Sequence, residues 1–176
     1  MKTLGIKVFD HKMTTILKFT GKVRSGKGEH SKLLIPGAED ISDPPPDWPI
    51  RFYPGSLNID ILSDGYPQGF APPESGGRGV SPLDDGGIEP TVVLPWDKIG
   101  DNKLNPKKER PRRGTGQFWP SVLTVVATTN KVDCWVFRRI DSTIERQLEL
   151  VSNLALRAHL CLKDGMEVTV ELLGKR

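Results

Sequence analysis

Between about residues 63 and 117 the sequence carries almost no pattern from which a strand or a helix can be predicted. The stretch is rich in Gly, Pro and Asp, includes the runs PPESGGRG and LDDGG, and has one strand-like piece at residues 91–94. Long loops of this kind are uncommon inside compact domains, where they are either functional lids or partly disordered. Because aromatic residues are few here, we favour a passive, partly disordered surface excursion over a lid. The core must then come from the two flanking parts of the chain.

Both flanking parts show the apolar and polar alternation that is typical of half-buried strands. Six or more short strands with one or two short helices predict a mostly-β single domain, residues 1–176, in which about 14–62 and 118–173 form a closed barrel without exposed strand edges. A short helix, with Ser152 or Asn153 as N-cap, is predicted at residues 153–160. The strands are predicted at residues 14–24, 32–35, 50–53, 57–62, 121–128, 133–139, 148–151 and 167–172.

Charge and cysteine content exclude several functional classes. The formal net charge is +3, from 25 Lys and Arg against 22 Asp and Glu, and this near balance does not indicate a nucleic-acid partner. The basic cluster within residues 107–113 is more typical of a solvated loop. Two cysteines without a CxxC spacing predict no metal cluster. Without an apolar leader or a run of 18 apolar residues, we expect a cytoplasmic, monomeric protein that does not enter membranes.

A glycine-rich segment at residues 21–30, GKVRSGKGEH, follows the first predicted strand. Gly26 and Gly28 flank Lys27, and glycines allow successive backbone N–H groups to approach and cradle a phosphate. The segment lacks the spacing of a P-loop and of a dinucleotide-binding fold. Taken alone, the segment is better interpreted as a glycine-rich hairpin turn, which is the more common use of such a segment.

The segment PGSLN places a turn immediately before the strand at residues 57–62. Ser56 and Asn58 are two residues apart, so they lie on the same side of an extended chain. A hydroxyl and an amide oxygen are the hard ligands that suit a Mg²⁺ ion shared with substrate phosphates. The alternative is a turn in which the two side chains hydrogen-bond the backbone.

The third segment, residues 148–165, reads LELVSNLALRAHLCLKDG. Strand alternation puts Glu149 on the face opposite its apolar neighbours, where it faces either solvent or a cleft. Arg157, on the predicted helix that follows, is able to reach an anion. Solvent exposure of both side chains is the competing interpretation.

Together these segments resemble the archaeal-type CTP-dependent riboflavin kinases. That family has G-x-V-x-S-G-x-G-E-G, then P-G-T-L-N, then E-I-I-A-P-x-x-L-R-E-x-L-x-L-K-D-G, and this chain has GKVRSGKGEH, PGSLN and ELVSNLALRAHLCLKDG in the same order. The resemblance covers roughly residues 16–62 and 118–172. It implies a small closed six-stranded β-barrel of the riboflavin-kinase-like, cradle-loop type. It also implies transfer of the γ-phosphoryl group of CTP to the 5′-hydroxyl of riboflavin with Mg²⁺, giving FMN and CDP.

The resemblance also implies roles for individual residues. Ser56 and Asn58 would bind Mg²⁺. Glu149 would bind the flavin substrate near its ribityl chain and orient or deprotonate the attacking hydroxyl, and Thr143 would contact the flavin. The nucleotide would be held by two sets of residues: Gly26, Lys27, Gly28, Glu29, His30 and Ser31, and Leu154, Ala155, Leu156, Arg157, Ala158 and His159.

The chain departs from the family pattern at several of these positions. His30 replaces a Gly, Ser56 replaces a Thr and keeps the ligating oxygen, and Ala158 replaces a Glu. These departures and the long central stretch indicate a divergent member. The alternative is a barrel without catalytic activity that binds a nucleotide, a flavin, DNA or a protein. The joint presence of Ser56, Asn58 and Glu149 favours the kinase, because a binding module needs no such set.

Overall fold

The computed structural model describes residues 13–25, 33–68, 70, 80, 83–84, 87–100, 114–142 and 144–175. Seven strands dominate this part of the chain, with one short helix, α1 (Leu156–His159), and 3₁₀ turns at Ala38–Asp40 and Trp96–Lys98. The strands are β1 (Met13–Arg24), β2 (Leu57–Ile61), β3 (Val92–Leu94), β4 (Gly116–Val125), β5 (Lys131–Arg139), β6 (Gln147–Val151) and β7 (Glu167–Lys175).

Six of these strands form a closed ring of antiparallel pairs. The sheet order is β3-β4-β5-β6-β2-β1-β7, and an additional pairing between β4 and β7 closes it. β4 makes this possible by dividing one of its edges between two partners. Its first residues, Gly116 to Phe118, pair with β3, and residues 121–125 pair with β7. The mostly-β prediction is confirmed, and β3 lies outside the ring at its β4 side.

The interior of the ring is a continuous apolar cluster. Alternate residues of each strand point inward, as Phe19 of β1, Ile59 of β2 and Leu123 of β4 do, and all three are almost completely buried. The side-chain period of two in a strand therefore assigns the intervening residues to the outer face of the ring. This outer face carries Asn58 and Glu149.

The central stretch contributes to this interior. Val80 and Leu83 are buried in the interior cluster, and Tyr66 packs against it. Asp84 forms an ion pair with Arg138 of β5, whose side chain is 5% exposed. At these described positions the stretch is not the surface excursion expected from its composition. Periodicity missed them because isolated apolar residues among Gly and Pro form no repeating pattern.

A second apolar cluster covers the outer face of β4 and β5. Trp48 lies at its centre, with its ring centroid 5.1 Å from that of Phe118 and 4.9 Å from that of Trp135. Its indole N–H donates to the carbonyl of Pro36 at 3.1 Å. Trp119 points the other way, into the ring, and donates to the carbonyl of Ile88. These tryptophans pack in the two apolar clusters.

Two predicted strands and one predicted cap are wrong. Of the predicted strand at residues 32–35, the described residues 33–35 contribute a single bridge, between Leu34 and Gly100. Residues 50–53 form no strand, because Ile35 and Phe52 pack in the second apolar cluster instead. The helix is confirmed but begins later, after Ala155. The Ser152 hydroxyl accepts from the N–H of Leu154 at 3.1 Å rather than capping the helix. Within the described ranges, the helices are too short and too polar to cross a membrane.

Candidate functional site

The register of β2 and β6 brings together three residues that the sequence predicted as a set. Asn58 and Glu149 are directly opposed across the two strands. Ser56, just before β2, donates its hydroxyl hydrogen to Glu149 Oε1 at 2.6 Å. An O–H to carboxylate bond of this length is a charge-assisted hydrogen bond. The Ser56–Asn58–Glu149 cluster is therefore a single site on the outer face of the ring.

The turn before β2 is held by its backbone. Gly55 has φ of +92°, a backbone conformation that residues other than glycine rarely adopt. Its N–H donates to the carbonyl of Leu33 at 2.8 Å, and the N–H of Tyr53 donates to the carbonyl of Ser152 at 2.8 Å. Ser56 is thus placed by backbone hydrogen bonds to two other segments, one of which is the end of β6. The Pro-Gly turn predicted here is confirmed.

Glu149 lies on the face predicted for it. Its neighbours Leu148 and Leu150 are buried in the interior cluster, whereas Glu149 is half-buried on the outer face. On its other side it is opposed by Phe137 of β5. An apolar ring on one side and Asn58 on the other give the carboxylate a partly shielded setting, in which its interactions with charged ligands are stronger than in water.

A charged group missed by the sequence analysis borders this cluster. Arg24, at the end of β1, is directly opposed to Asn58 across β1 and β2. Its Nη1 lies 3.2 Å from Asp60 Oδ1, and Gln147 Nε2 donates to the same oxygen at 3.3 Å. Alternation around Val23 gave a signal that Arg24 lies on the outer face, but only the strand register places it beside Asn58.

Arg157 belongs to a second polar cluster. Its Nη2 donates to Asp164 Oδ1 at 2.7 Å, and the Ser25 hydroxyl donates to Asp164 Oδ2 at 2.7 Å. The hydrogen bond from Ser25 and then the Arg157 guanidinium hold the pKa of Asp164 below its usual value. The sequence predicted that Arg157 reaches an anion, and in the structure the anion that it contacts is this carboxylate. We name Ser25, Arg157 and Asp164 the Asp164 cluster.

The predicted glycine-rich loop is bounded by both clusters. Gly26, Lys27, Gly28, Glu29, His30 and Ser31 lie outside the described residues, as does Thr143. The residues at the two ends of the loop are described. Ser25 contacts Asp164, and the carbonyl of Leu33 accepts from Gly55, the residue before Ser56. The chain connectivity therefore makes the loop the direct connection between the two clusters.

The remaining predicted nucleotide residues lie on or beside α1. Leu156 is buried in the interior cluster, so its side chain packs the ring rather than facing a ligand. Ala158 and His159 are exposed, and Leu154 and Ala155 are half-buried. Within this group, only the residues on the solvent side of α1 are available for a nucleotide.

Ser56 and Asn58 carry oxygen atoms of the kind that a magnesium ion takes as ligands. Ser56 directs its hydrogen to Glu149, which leaves the lone pairs of its oxygen for a cation, and Asn58 adds an amide oxygen. Mg²⁺ prefers oxygen ligands and is typically held by one or two protein groups together with substrate phosphates and water. Across the described part of the chain, no group of three or more His, Cys, Asp and Glu side chains is suited to hold a metal.

A separate groove lies away from these clusters. Its volume is about 610 Å³, and it runs between residues 39–43 and β3. None of the predicted site residues in the described ranges lines it.

Comparison with models of known protein families found no match, and comparison with curated proteins found no significant match.

Proposed function

We propose that the chain is a Mg²⁺-dependent phosphotransferase like the CTP-dependent riboflavin kinases, moving the γ-phosphoryl group of CTP to the 5′-hydroxyl of riboflavin to give FMN and CDP. The observation that carries this proposal is the Ser56–Asn58–Glu149 cluster, in which two oxygen ligands adjoin one carboxylate. The closed ring of six strands supports the finer description of the fold as a barrel of the cradle-loop type.

Phosphoryl transfer depends on positioning and charge neutralisation more than on covalent chemistry by the protein. Ser56 and Asn58 would hold the ion, and bound Mg²⁺ neutralises phosphate charge and orients the transferred group. The hydroxyl of Ser56 is held before the substrate arrives by its bond to Glu149, and the strand register places Asn58 on the same face. Such preorganisation lowers the cost of assembling the reacting groups.

Glu149 would orient the attacking hydroxyl and accept its proton. The two oxygens of a carboxylate can accept about four hydrogen bonds, so accepting from Ser56 does not prevent Glu149 from accepting from a substrate hydroxyl. A general base must lie within hydrogen-bond reach of the hydroxyl that it deprotonates. In this arrangement the hydroxyl of riboflavin would approach the outer face of β6 next to the ion-binding pair.

The test is product formation by purified protein with riboflavin, Mg²⁺ and either CTP or ATP, with FMN measured by chromatography. We expect FMN with CTP. Glu149→Gln should lower kcat/KM by about 100-fold or more, which is the typical contribution of a positioned base. Asn58→Ala should lower kcat/KM because a ligand of the ion is lost. Ser56→Thr, which restores the residue of the family, should retain activity.

Matched control variants are available on other parts of the ring. Asn130→Ala, in the turn between β4 and β5, and Glu171→Gln, on β7, remove the same chemical groups away from the site. Both should keep wild-type rates. If the folded protein forms no FMN with either nucleotide, the kinase proposal fails. Binding of CTP or riboflavin without turnover would then favour the binding module.

A further inference from the structure

One carboxylate joins two segments that are far apart in the sequence. Asp164 accepts from Ser25 at Oδ2 and from Arg157 at Oδ1, each at 2.7 Å. Ser25 is the last described residue before the glycine-rich loop, and Arg157 is on α1. The bond between Ser25 and Asp164 spans 139 positions of the chain.

The backbone around Asp164 is fixed to β1. The N–H of Gly165 donates to the carbonyl of Val23 at 2.8 Å, and the N–H of Val23 donates to the carbonyl of Met166 at 2.9 Å. Gly165 has φ of +86°, which glycine adopts without strain. The turn before β7 is thereby held against the end of β1, and Asp164 lies next to Ser25 as a consequence.

We infer that Asp164 is a positioning residue for the nucleotide, acting through Arg157 and Ser25; this inference rests on the proposed kinase function. A guanidinium carries five N–H donors in a rigid plane, and Arg157 contacts Asp164 through Nη2. Fixing Nη2 therefore sets the direction of the remaining donors, which suit the oxygens of a phosphate. Asp164 would orient the guanidinium of Arg157 and the hydroxyl of Ser25.

A purely structural role makes a different prediction. The side chains of Arg157 and Asp164 are 39% and 55% exposed, and exposed ion pairs contribute little to stability. If Asp164 served only to stabilise the fold, replacing it would leave the affinity for CTP unchanged. The contribution of Arg157 to that affinity would also stay the same. A positioning role predicts a selective effect on the nucleotide.

The experiment measures the Kd of CTP by calorimetry with Mg²⁺ present, together with kcat and both KM values. Asp164→Asn should raise the Kd and the KM for CTP about fivefold, the upper range for losing one exposed ionic contact. The kcat and the KM for riboflavin should stay within about twofold, because the chemical step is untouched. Asp97→Asn, which removes an exposed carboxylate from a 3₁₀ turn, is the matched control.

A double variant tests the route of the effect. In an Arg157→Gln background, Asp164→Asn should cause little further loss, because residues that act through one another are not additive. A Kd for Asp164→Asn equal to that of the Asp97→Asn control, or full additivity with Arg157→Gln, would overturn the inference.

The outcomes also separate this inference from the kinase proposal. If FMN forms while Asp164→Asn leaves CTP affinity unchanged, only the inference fails. If wild-type protein binds CTP with an affinity that depends on Asp164 but forms no FMN, only the kinase proposal fails. Absence of CTP binding to folded wild-type protein would overturn both.

Discussion

Replacing Asp84 with alanine should destabilise the protein strongly, because it removes the carboxylate that forms a buried ion pair with Arg138. The side chains of Arg138 and Asp84 are 5% and 12% exposed. Their pairing is bidentate, with Arg138 Nη2 2.9 Å from Asp84 Oδ2 and Nε bonded to Oδ1. Asp84 Oδ2 also accepts from the N–H of Val80 at 3.3 Å, so the same carboxylate anchors part of the central stretch.

The magnitude follows from the contacts that remain. Removing one partner of a buried ion pair typically costs about 3–5 kcal/mol. Arg138 Nη2 still donates to the carbonyl of Ile144 at 3.0 Å in the variant, which partly satisfies the guanidinium. We therefore expect the lower end, about 3 kcal/mol in the free energy of unfolding. For a chain of this size that corresponds to a Tm lower by roughly 6–12 °C.

The assay is urea unfolding of Asp84→Ala, Arg138→Met and the double variant. The double variant should lose less stability than the sum of the single changes, because it buries no unpaired charge. Asp60→Ala is the matched control, since its pair with Arg24 is 45% exposed on both sides and should contribute less than about 1 kcal/mol. Equal losses for Asp84→Ala and Asp60→Ala would refute the assignment of Asp84 as an anchor.

Two further predictions concern single side chains. Burial raises the pKa of Cys134 far above its usual value, whereas Cys161 is exposed. A thiol reagent should therefore label Cys161 alone in the native protein and both cysteines in denaturant. The bonds from Ser25 and Arg157 that lower the pKa of Asp164 stabilise its charged form. This contribution is present above the pKa of an unfolded aspartate and lost as the pH falls through the lower folded pKa, so the stability difference between wild type and Asp164→Asn should vanish in strong acid.

Alternation predicted the long strands because each has one buried face. The inward apolar residues are Leu17, Phe19 and Val23 in β1 and Val168, Val170 and Leu172 in β7, and their spacing is visible without knowing the partner strands. It failed at residues 32–35 and 50–53, where apolar side chains are required to cover Trp48 and the outer face of β4 and β5 rather than to form a ladder. The apolar character of a residue indicates that it is buried, but it does not indicate which surface the residue covers.

The candidate site could likewise be predicted from the sequence only in part. Ser56 and Asn58 were predicted from two positions on one strand, and Glu149 from its polarity within an apolar strand. That Ser56 bonds Glu149 depends on the register of β2 and β6, which is a tertiary property. Asp164 was not predicted as a site residue, because an Asp that precedes a Gly is typical of an ordinary turn. Its role depends on Ser25, which lies in another motif.

Gly21 is the first glycine of the segment GKVRSGKGEH, and it affects the register of β1 and β2, which sets the positions of Arg24 and Asn58. It pairs with Ile61 across β1 and β2, and a Cβ atom at this position would collide with the carbonyl oxygen of Asp60 and with the side chain of Ile59. The absent side chain lets the two strands pair in the register that opposes Arg24 to Asn58. A slip of one residue would move every side chain of a strand to the opposite face. The first glycine of GKVRSGKGEH therefore serves strand packing, and it affects Asn58 by fixing where β2 lies.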